Sequence, residues 1–371
     1  MESGPMYGPN AVLGWPMLYR YPPLFLCLFV PLALLPLRAA AAVWAALEVF
    51  LLGWLLRCWY RRYPLARPLA GLWVPALLLT PYVVKVIEMG NVQLLVVELA
   101  CFALLLDRRP TLAGLLLGLA AAIKVWPAFL VPYLAFRERQ RFAAKATAAA
   151  CVFTIAPAAW LGWGETFHLL SQWYAQEKRI NALLGDRWYP SQSLRGVMLR
   201  YLTRMNYSGL PDTHYRLVNL VSWPSVDVRL AWLVLALLLG LVSLILAGRC
   251  RDEAAAYSVF FCFLLVIQPN VAVSIYVTLL WPALVAGGVM ADRAAPRTAR
   301  WLFAIAAVSA ALIPLPPGSE LQRLEQVLGA DFFAVLLPLT IALVAHSHAR
   351  SSPSSNEVRG PETNREVAAG L

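Results

Sequence analysis

An all-α, polytopic membrane bundle with short re-entrant helices is the fold class this sequence predicts. Three observations predict it. The 371 residues are 60% apolar and only 14% charged, with a mean hydropathy of +0.65. Apolar runs long enough, or nearly long enough, to span a bilayer recur along the chain. The net charge of +11 sits mostly in the short segments between those runs, as expected for loops that face an anionic cytoplasmic leaflet.

The elements follow in order. The segment 22–37 is bounded by Pro22-Pro23 and Pro36 and is too short to cross at 1.5 Å per residue; it is expected to dip in from the outside face. Spans are expected near 39–56, 69–84, 92–106, 143–162, 228–248, 254–268, 271–291, 301–315 and 331–346. Five basic loops set the orientation: Arg57, Arg61, Arg62 and Arg67; Arg108 and Arg109; Arg137, Arg139, Arg141 and Lys145; Arg249 and Arg251; and Arg293, Arg297 and Arg300. These loops are expected inside. The loop around Glu320 and Glu325 has only Arg323 as a base and fits the outside.

One stretch resists this bookkeeping. Residues 111–136 have basic loops on both sides, so a single crossing is excluded if both loops are inside. A re-entrant pair of short helices, 111–123 and 127–136, solves the conflict, with Lys124-Val-Trp-Pro127 at its middle. Non-helical backbone at such depth is tolerated only where it is buried in protein or lines a wet cavity. A lysine at membrane depth is itself a functional-site hypothesis; the competing reading is a side chain snorkelling to the nearest interface. Glu98, in mid-span, is a candidate partner for Lys124 across helices, and Glu48 is also intramembrane with no partner in sight.

The largest hydrophilic stretch, about 163–227, falls outside. Within it Leu194, Val197, Met198, Tyr201, Leu202 and Met205 recur at helical spacing, flanked by Arg195 and Arg204. Such a helix is expected to lie in the outer headgroup layer. The Trp and Tyr residues of 159–190 read as an interfacial belt. The chain divides into one membrane-embedded unit, 1–346, and a Ser-, Pro-, Asn- and Glu-rich tail, 347–371, expected to be disordered and cytoplasmic.

Several classes are disfavoured. Nothing suggests a compact soluble domain to carry a nucleic-acid groove, so no nucleic-acid partner is expected. The six cysteines form no Cys-x-x-Cys, and the four histidines fall in no ligand spacing, so neither metal nor cofactor is expected. No basic leader precedes a short apolar core with a cleavage site.

The polar residues of the outer face carry the chemistry. Arg20-Tyr21, Glu88, Asn91, Gln93, Gln192-Ser193 and Arg195 are expected to converge there, with Lys124 approaching from within the membrane. Cations over an outer-leaflet cavity suit an anionic lipid headgroup, most simply a phosphate. Glu88, at the outer end of a span, is a candidate general base; its structural alternative is pairing with Lys85.

At these residues the sequence resembles a family. Gly-Asn-Val-Gln at 90–93, followed by Ala113-Gly114-x-x-x-Gly118-Leu-Ala-Ala-Ala-x-Lys124-x-x-Pro127, is similar to the polyprenyl-phosphate-mannose-dependent mannosyltransferases of the GT-C superfamily. Three further stretches agree in order: Tyr21-Pro22-Pro23-Leu24 with Pro31 to Pro36, Ser191-Gln192-Ser193-Leu194-Arg195-Gly196 with Arg200, and Gln268-Pro269 through Trp281-Pro282-Ala283. The resemblance implies a GT-C-type bundle in the cell (inner) membrane. It also implies a polyprenyl-phosphate-linked sugar donor, a glycolipid or glycan acceptor and membrane lipids as partners. Transfer would proceed with inversion, an acidic residue of the first external loop serving as base. Lys124 and Arg195 are carried over as the donor-phosphate ligands, and Tyr21, Asn91, Gln93, Gln192 and Ser193 as lining of the substrate cavity.

Two departures stand out. Only Met1 to Arg20 precede Tyr21, with Glu2 as their sole carboxylate, where the family carries a first span and an acidic external loop. The stretch Pro269 to Tyr276 has neither acid nor histidine, where the family often has Ser-x-Ser-Trp-Asp-His-His. Either the start is assigned too late, or the chain is a degenerate paralogue that has lost its base. The rival readings are a non-catalytic lipid-phosphate-binding protein on the same scaffold and a transporter, the latter disfavoured because no paired repeat halves are visible.

Overall fold

The computed structural model describes residues 7, 19–65, 67–184, 190–207, 215–250, 252–313 and 319–351. Glu2 and the tail from residue 352 therefore lie outside the described residues, and the last helix runs on to Ser351. Among the described residues all regular structure is helical.

The chain enters at Tyr19–Pro22 and forms α1 (Pro23–Ala33), which at 11 residues is too short to cross. After a turn at 34–36, α2 (Leu37–Arg62) and α3 (Pro68–Glu88) cross in opposite directions. Two short helices follow, α4 (Gln93–Leu105) and α5 (Pro110–Ile123). Lys124 leaves the helix in extended conformation (φ −147°, ψ 130°). A 3₁₀ turn at Trp126–Phe129 and α6 (Leu130–Phe136) then lead away. Pro127 contributes to the break, because it has no N–H to donate back to α5 and so the α-helix cannot continue through it.

Next come α7 (Gln140–Ile155), the single turn α8 (Ala158–Leu161) and α9 (Trp163–Leu184). Helix α10 (Leu194–Leu202) precedes α11 (Ser225–Arg249), long enough to cross, and the shorter α12 (Glu253–Ile267). A 3₁₀ segment, Val273–Leu279, runs into α13 (Leu280–Ala291). The chain closes with α14 (Arg297–Leu312), α15 (Glu320–Leu328), a π-helical segment at Asp331–Leu336, and α16 (Leu337–Ser351).

Each of the nine expected spans overlaps helix among the described residues. Five helices are long and apolar enough to cross a membrane, and a sixth is added if α15 and the helix from Asp331, bent by 58°, form one span. The chain is thus an all-α, multi-pass membrane protein. The helices at the spans expected near 92–106, 254–268 and 301–315 are shorter than a crossing helix, at 13, 15 and 16 residues.

The basic loops converge on one face. Arg139 bridges Asp107 at 3.2 Å and Glu253 at 2.6 Å. Arg137 donates to the Ala247 carbonyl at 2.5 Å. Arg67 donates through Nε to the Ala291 carbonyl at 3.0 Å. This basic face therefore holds the loops before α3, α5, α7, α12 and α14, as the charge pattern predicts.

The same bonds decide the re-entrant question. Asp107, before α5, and Arg139, after α6, are directly paired, so both ends of the α5–α6 unit lie on the basic face. Its apex, Lys124, reaches toward the opposite, far face. The Gly114-x-x-x-Gly118 spacing is what seats this unit. A Cβ at Gly114 would stand 2.6 Å from the Lys145 Cβ, and one at Gly118 2.5 Å from the Ala149 Cβ. Small residues let the α5 and α7 backbones approach closely, which is a main source of cohesion between helices in lipid.

Between the faces, Trp281 anchors the core at 1% exposure. It meets Trp59 edge to face at 4.7 Å between ring centres and donates through Nε1 to the Ala254 carbonyl at 3.0 Å. The indole thus satisfies its polar handle inside an otherwise apolar interior.

Candidate functional site

The far face carries two polar clusters, one on each side of the Val273–Leu279 segment. The first is built on Tyr21. Its hydroxyl donates to Asn91 Oδ1 at 3.2 Å, and the Lys124 ammonium stands 5.9 Å from its ring centroid. Asn91 follows Gly90, which adopts φ +56°, the left-handed backbone that lets the chain reverse between α3 and α4. Asn91 Oδ1 also accepts from the Gln93 amide at 3.0 Å. The Gln93 side chain donates to Thr278 Oγ1 at 2.9 Å, and its Oε1 is buried without a hydrogen-bond partner.

Arg20 and Glu177 complete this cluster. The guanidinium binds the carboxylate through both ends, Nε to Oε1 at 3.0 Å and Nη2 to Oε2 at 2.7 Å. Partial burial opposes the charge on Arg20, yet the Glu177 carboxylate holds its pKa above the usual value. Helix α9 is further tied to the entering chain by Trp173 Nε1 to the Arg20 carbonyl at 3.0 Å and Gln176 Nε2 to the Tyr19 carbonyl at 2.7 Å. Both Arg20 and Glu177 act electrostatically on Lys124. Two cations, a carboxylate and a tyrosine thus share one end of the bundle.

The second cluster surrounds Arg200, which is 3% exposed. It donates to the carbonyls of Val327 at 2.8 Å and Ser191 at 2.7 Å. Burial lowers its guanidinium to a pKa of about 10. Tyr276 donates to the Gln192 carbonyl at 2.9 Å, and Gln192 Nε2 donates to the Gln326 carbonyl at 3.0 Å. Ser193 caps α10 by accepting from Gly196 N at 3.0 Å and donates to the Pro269 carbonyl at 2.9 Å. Tyr82 donates to Asp331 at 2.7 Å in the same region.

The structure therefore brings together Tyr21, Asn91, Gln93 and Lys124 from the sequence expectation, and adds Glu177. It does not bring the others to them. Arg195 lies over the Trp232 ring at 5.6 Å, on the α11 side. Gln192 and Ser193 are fully buried beside α10, where Gln192 Nε2 and Ser193 Oγ bond the carbonyls of Gln326 and Pro269, and Gln192 Oε1 is buried without a hydrogen-bond partner. Glu88 is exposed and pairs with Lys85 at 3.5 Å, its structural alternative. The expected Glu98–Lys124 pair does not form: the carboxyl oxygens of Glu98, like those of Glu48, are buried with no hydrogen-bond partner. Helix α10 is not a free headgroup-layer helix either, since Gly196, Val197, Leu199 and Arg200 are buried, and it ends before Met205.

Sequence reasoning missed the Arg20–Glu177 pair. The partners are 157 residues apart, and Glu177 reads as one of several solvated loop acids. The only signal was Arg20 beside Tyr21 at the start of the motif region. Among the described residues no group of three or more His, Cys, Asp or Glu is placed to hold a metal.

Comparison with known proteins places these residues in a family. Residues 19–269 match the model of glycosyltransferase family 87. Two relatives come from Mycolicibacterium smegmatis. One, a polyprenol-phosphate-mannose-dependent alpha-(1-2)-phosphatidylinositol pentamannoside mannosyltransferase, is 34% identical over 198 residues, 51% of this chain and 45% of the relative. The other, a polyprenol-phosphate-mannose-dependent alpha-(1-2)-phosphatidylinositol mannoside mannosyltransferase, is 24% identical over 401 residues, 96% of this chain and 84% of the relative. A protein of that second name from Mycobacterium tuberculosis is 27% identical over 221 residues, 54% of this chain and 50% of the relative. The matched region thus spans about half the length of the first and third relatives. No solved structure matches. The family match takes in Tyr21, Asn91, Lys124, Glu177 and Arg200 together, and the chain belongs to glycosyltransferase family 87.

Proposed function

We propose that this chain is an integral membrane glycosyltransferase of the GT-C type. It transfers a hexose, mannose in our reading, from a polyprenyl-phosphate donor to a glycolipid or glycan acceptor. The relatives' names support the donor, and they favour a phosphatidylinositol mannoside as acceptor. We assign the far face to the outside of the cell (inner) membrane, since the basic loops gather on the other face.

The observation that carries the reading is Lys124 at the apex of a re-entrant unit, beside Tyr21 and Arg20. In the transfer, the acceptor oxygen attacks the anomeric carbon while the bond to the phosphate oxygen breaks with inversion. The phosphate leaves with the electron pair, and Lys124 and Arg20 stabilise the charge that develops on it. The acceptor proton passes to a carboxylate. Glu88 and Glu177 are the candidates on the far face, and Glu177 is the one within the Lys124 cluster. Arg195, over the Trp232 ring, is a candidate contact for the donor phosphate or the acceptor. Gln93, with a free buried acceptor beside Asn91, suits a sugar hydroxyl.

The test is transfer by purified protein in lipid, given radiolabelled polyprenyl-phosphate-mannose and phosphatidylinositol mannosides. Labelled glycolipid is expected with the native chain and at least tenfold less with Lys124→Ala. Donor bound with native affinity by the Lys124→Ala protein would overturn the reading.

A further inference from the structure

At the basic face, opposite Lys124, the ends of α2, α12, α13 and α16 enclose a cavity of about 530 Å³. Trp59, Leu284, Val285 and Val289 give it an apolar wall, and it opens beside Gly288, which has no neighbour within 4 Å of a Cβ position. Its rim is charged, with Arg67 and Arg293 among the cations and Asp252 and Asp292 as carboxylates; His346 also borders it.

Arg67 points to a ligand. Its Nε is anchored on the Ala291 carbonyl at 3.0 Å, which fixes the plane of the guanidinium. Its Nη2 is buried and has no hydrogen-bond partner. A buried charged donor left without an acceptor is costly, and such groups are normally paired. The two acids are engaged elsewhere: Asp252 Oδ1 accepts from the amides of Ala254 and Ala255, and Asp292 Oδ1 from that of Ala294. Asp252 keeps a second carboxylate oxygen.

We propose that this cavity binds the headgroup of a zwitterionic aminophospholipid. The phosphate accepts from Arg67 Nη2, the ammonium faces the Asp252 carboxylate, and the acyl chains leave along the apolar wall. A rim of mixed sign suits a zwitterion better than a net anion, which Asp252 and Asp292 would repel. The site lies at the face opposite the proposed donor site and does not depend on the transferase reading.

The experiment uses the full chain in phosphatidylcholine nanodiscs doped with phosphatidylethanolamine or phosphatidylglycerol, with retained lipid counted by native mass spectrometry. The native protein is expected to retain phosphatidylethanolamine over phosphatidylglycerol. Arg67→Ala should lower that retention about tenfold or more, and Arg109→Ala, an exposed change on the same face, should not. Arg67→Gln can still donate to Ala291 and carries the test if Arg67→Ala does not fold. Inorganic phosphate at millimolar concentration should leave the lipid in place. Equal retention by the native protein and either Arg67 variant overturns the site. Preference for phosphatidylglycerol overturns the zwitterion, and displacement by inorganic phosphate overturns the lipid.

Discussion

The Lys124 ammonium sits 5.9 Å from the centre of the Tyr21 ring, although 103 residues of chain separate them, counted as 124 minus 21. Cation and ring attract, the more so where water is scarce. The contact leaves the ammonium's three donors to other partners, as a phosphate ligand requires. Lys124→Ala should therefore weaken donor binding by roughly ten- to a hundred-fold, the loss of one charge-assisted contact. Because Glu98 is not its ion-pair partner, adding Glu98→Gln to Lys124→Met should restore nothing. Binding of polyprenyl-phosphate-mannose, read beside the melting temperature, checks both; rescue by the double change would restore the ion-pair model.

The close seating of α5 on α7 gives a stability prediction. A side chain at Gly118 would begin 2.5 Å from the Ala149 Cβ. Gly118→Leu should destabilise the protein by about 1–3 kcal/mol through overpacking and, by shifting α5, should also displace Lys124 from Tyr21. Gly53→Ala, in open space on α2, should leave the melting temperature unchanged. Equal melting of the two variants would show that the helices can part without cost.

Orientation is tested by labelling. In a cysteine-free background, Ser222→Cys at the far face should react with a membrane-impermeant maleimide in intact cells. Arg108→Cys and Arg141→Cys, both exposed on the basic face, should react only after permeabilisation. If 108 and 141 read opposite sides, the α5–α6 unit is a crossing and the account of Lys124 falls.

Arg200 and Arg195 should part company. Arg200 holds two buried carbonyls, those of Ser191 and Val327, so Arg200→Ala should cost on the order of 2–4 kcal/mol. Arg200→Lys should not recover it, since an ammonium cannot fork to both. Arg195 is only half-buried, over the Trp232 ring, and Arg195→Ala should cost less than Arg200→Ala. Thermal melting of the three variants decides it, and a stable Arg200→Ala protein would remove the scaffold role.

What the sequence made legible follows from what charge and hydropathy can encode. Basic residues in short loops report a face, so Arg67, Arg137 and Arg139 located their loops, and the two-sided flanking of 111–136 exposed the re-entrant unit. Pro127 and Gly118 report backbone geometry through their own chemistry. Pairings across the bundle are a different matter. Whether Glu98 meets Lys124, or Arg195 shares its ligand, depends on how helices rotate and pack, which periodicity alone does not fix. Gln192 and Ser193 looked like site residues because they are polar in a family motif. They meet the carbonyls of Gln326 and Pro269, distant in sequence, so these contacts were invisible until the fold was known.

The last prediction separates the two carboxylates. Glu88 pairs only with Lys85, at 3.5 Å, and is exposed, whereas Glu177 acts on Lys124 and is gripped by Arg20. An amide in place of a base cannot take the acceptor's proton but keeps the shape. If Glu177 is the base, Glu177→Gln should lower kcat by roughly a hundred-fold or more while leaving donor affinity within a few-fold, and Glu88→Gln should be near native. If Glu177 only holds α9 to the entering chain, Glu177→Gln should lower the melting temperature together with donor affinity, because losing the carboxylate also frees Arg20. Measuring kcat, donor Kd and melting temperature on both variants distinguishes these outcomes. Full activity in both would show that neither is the base.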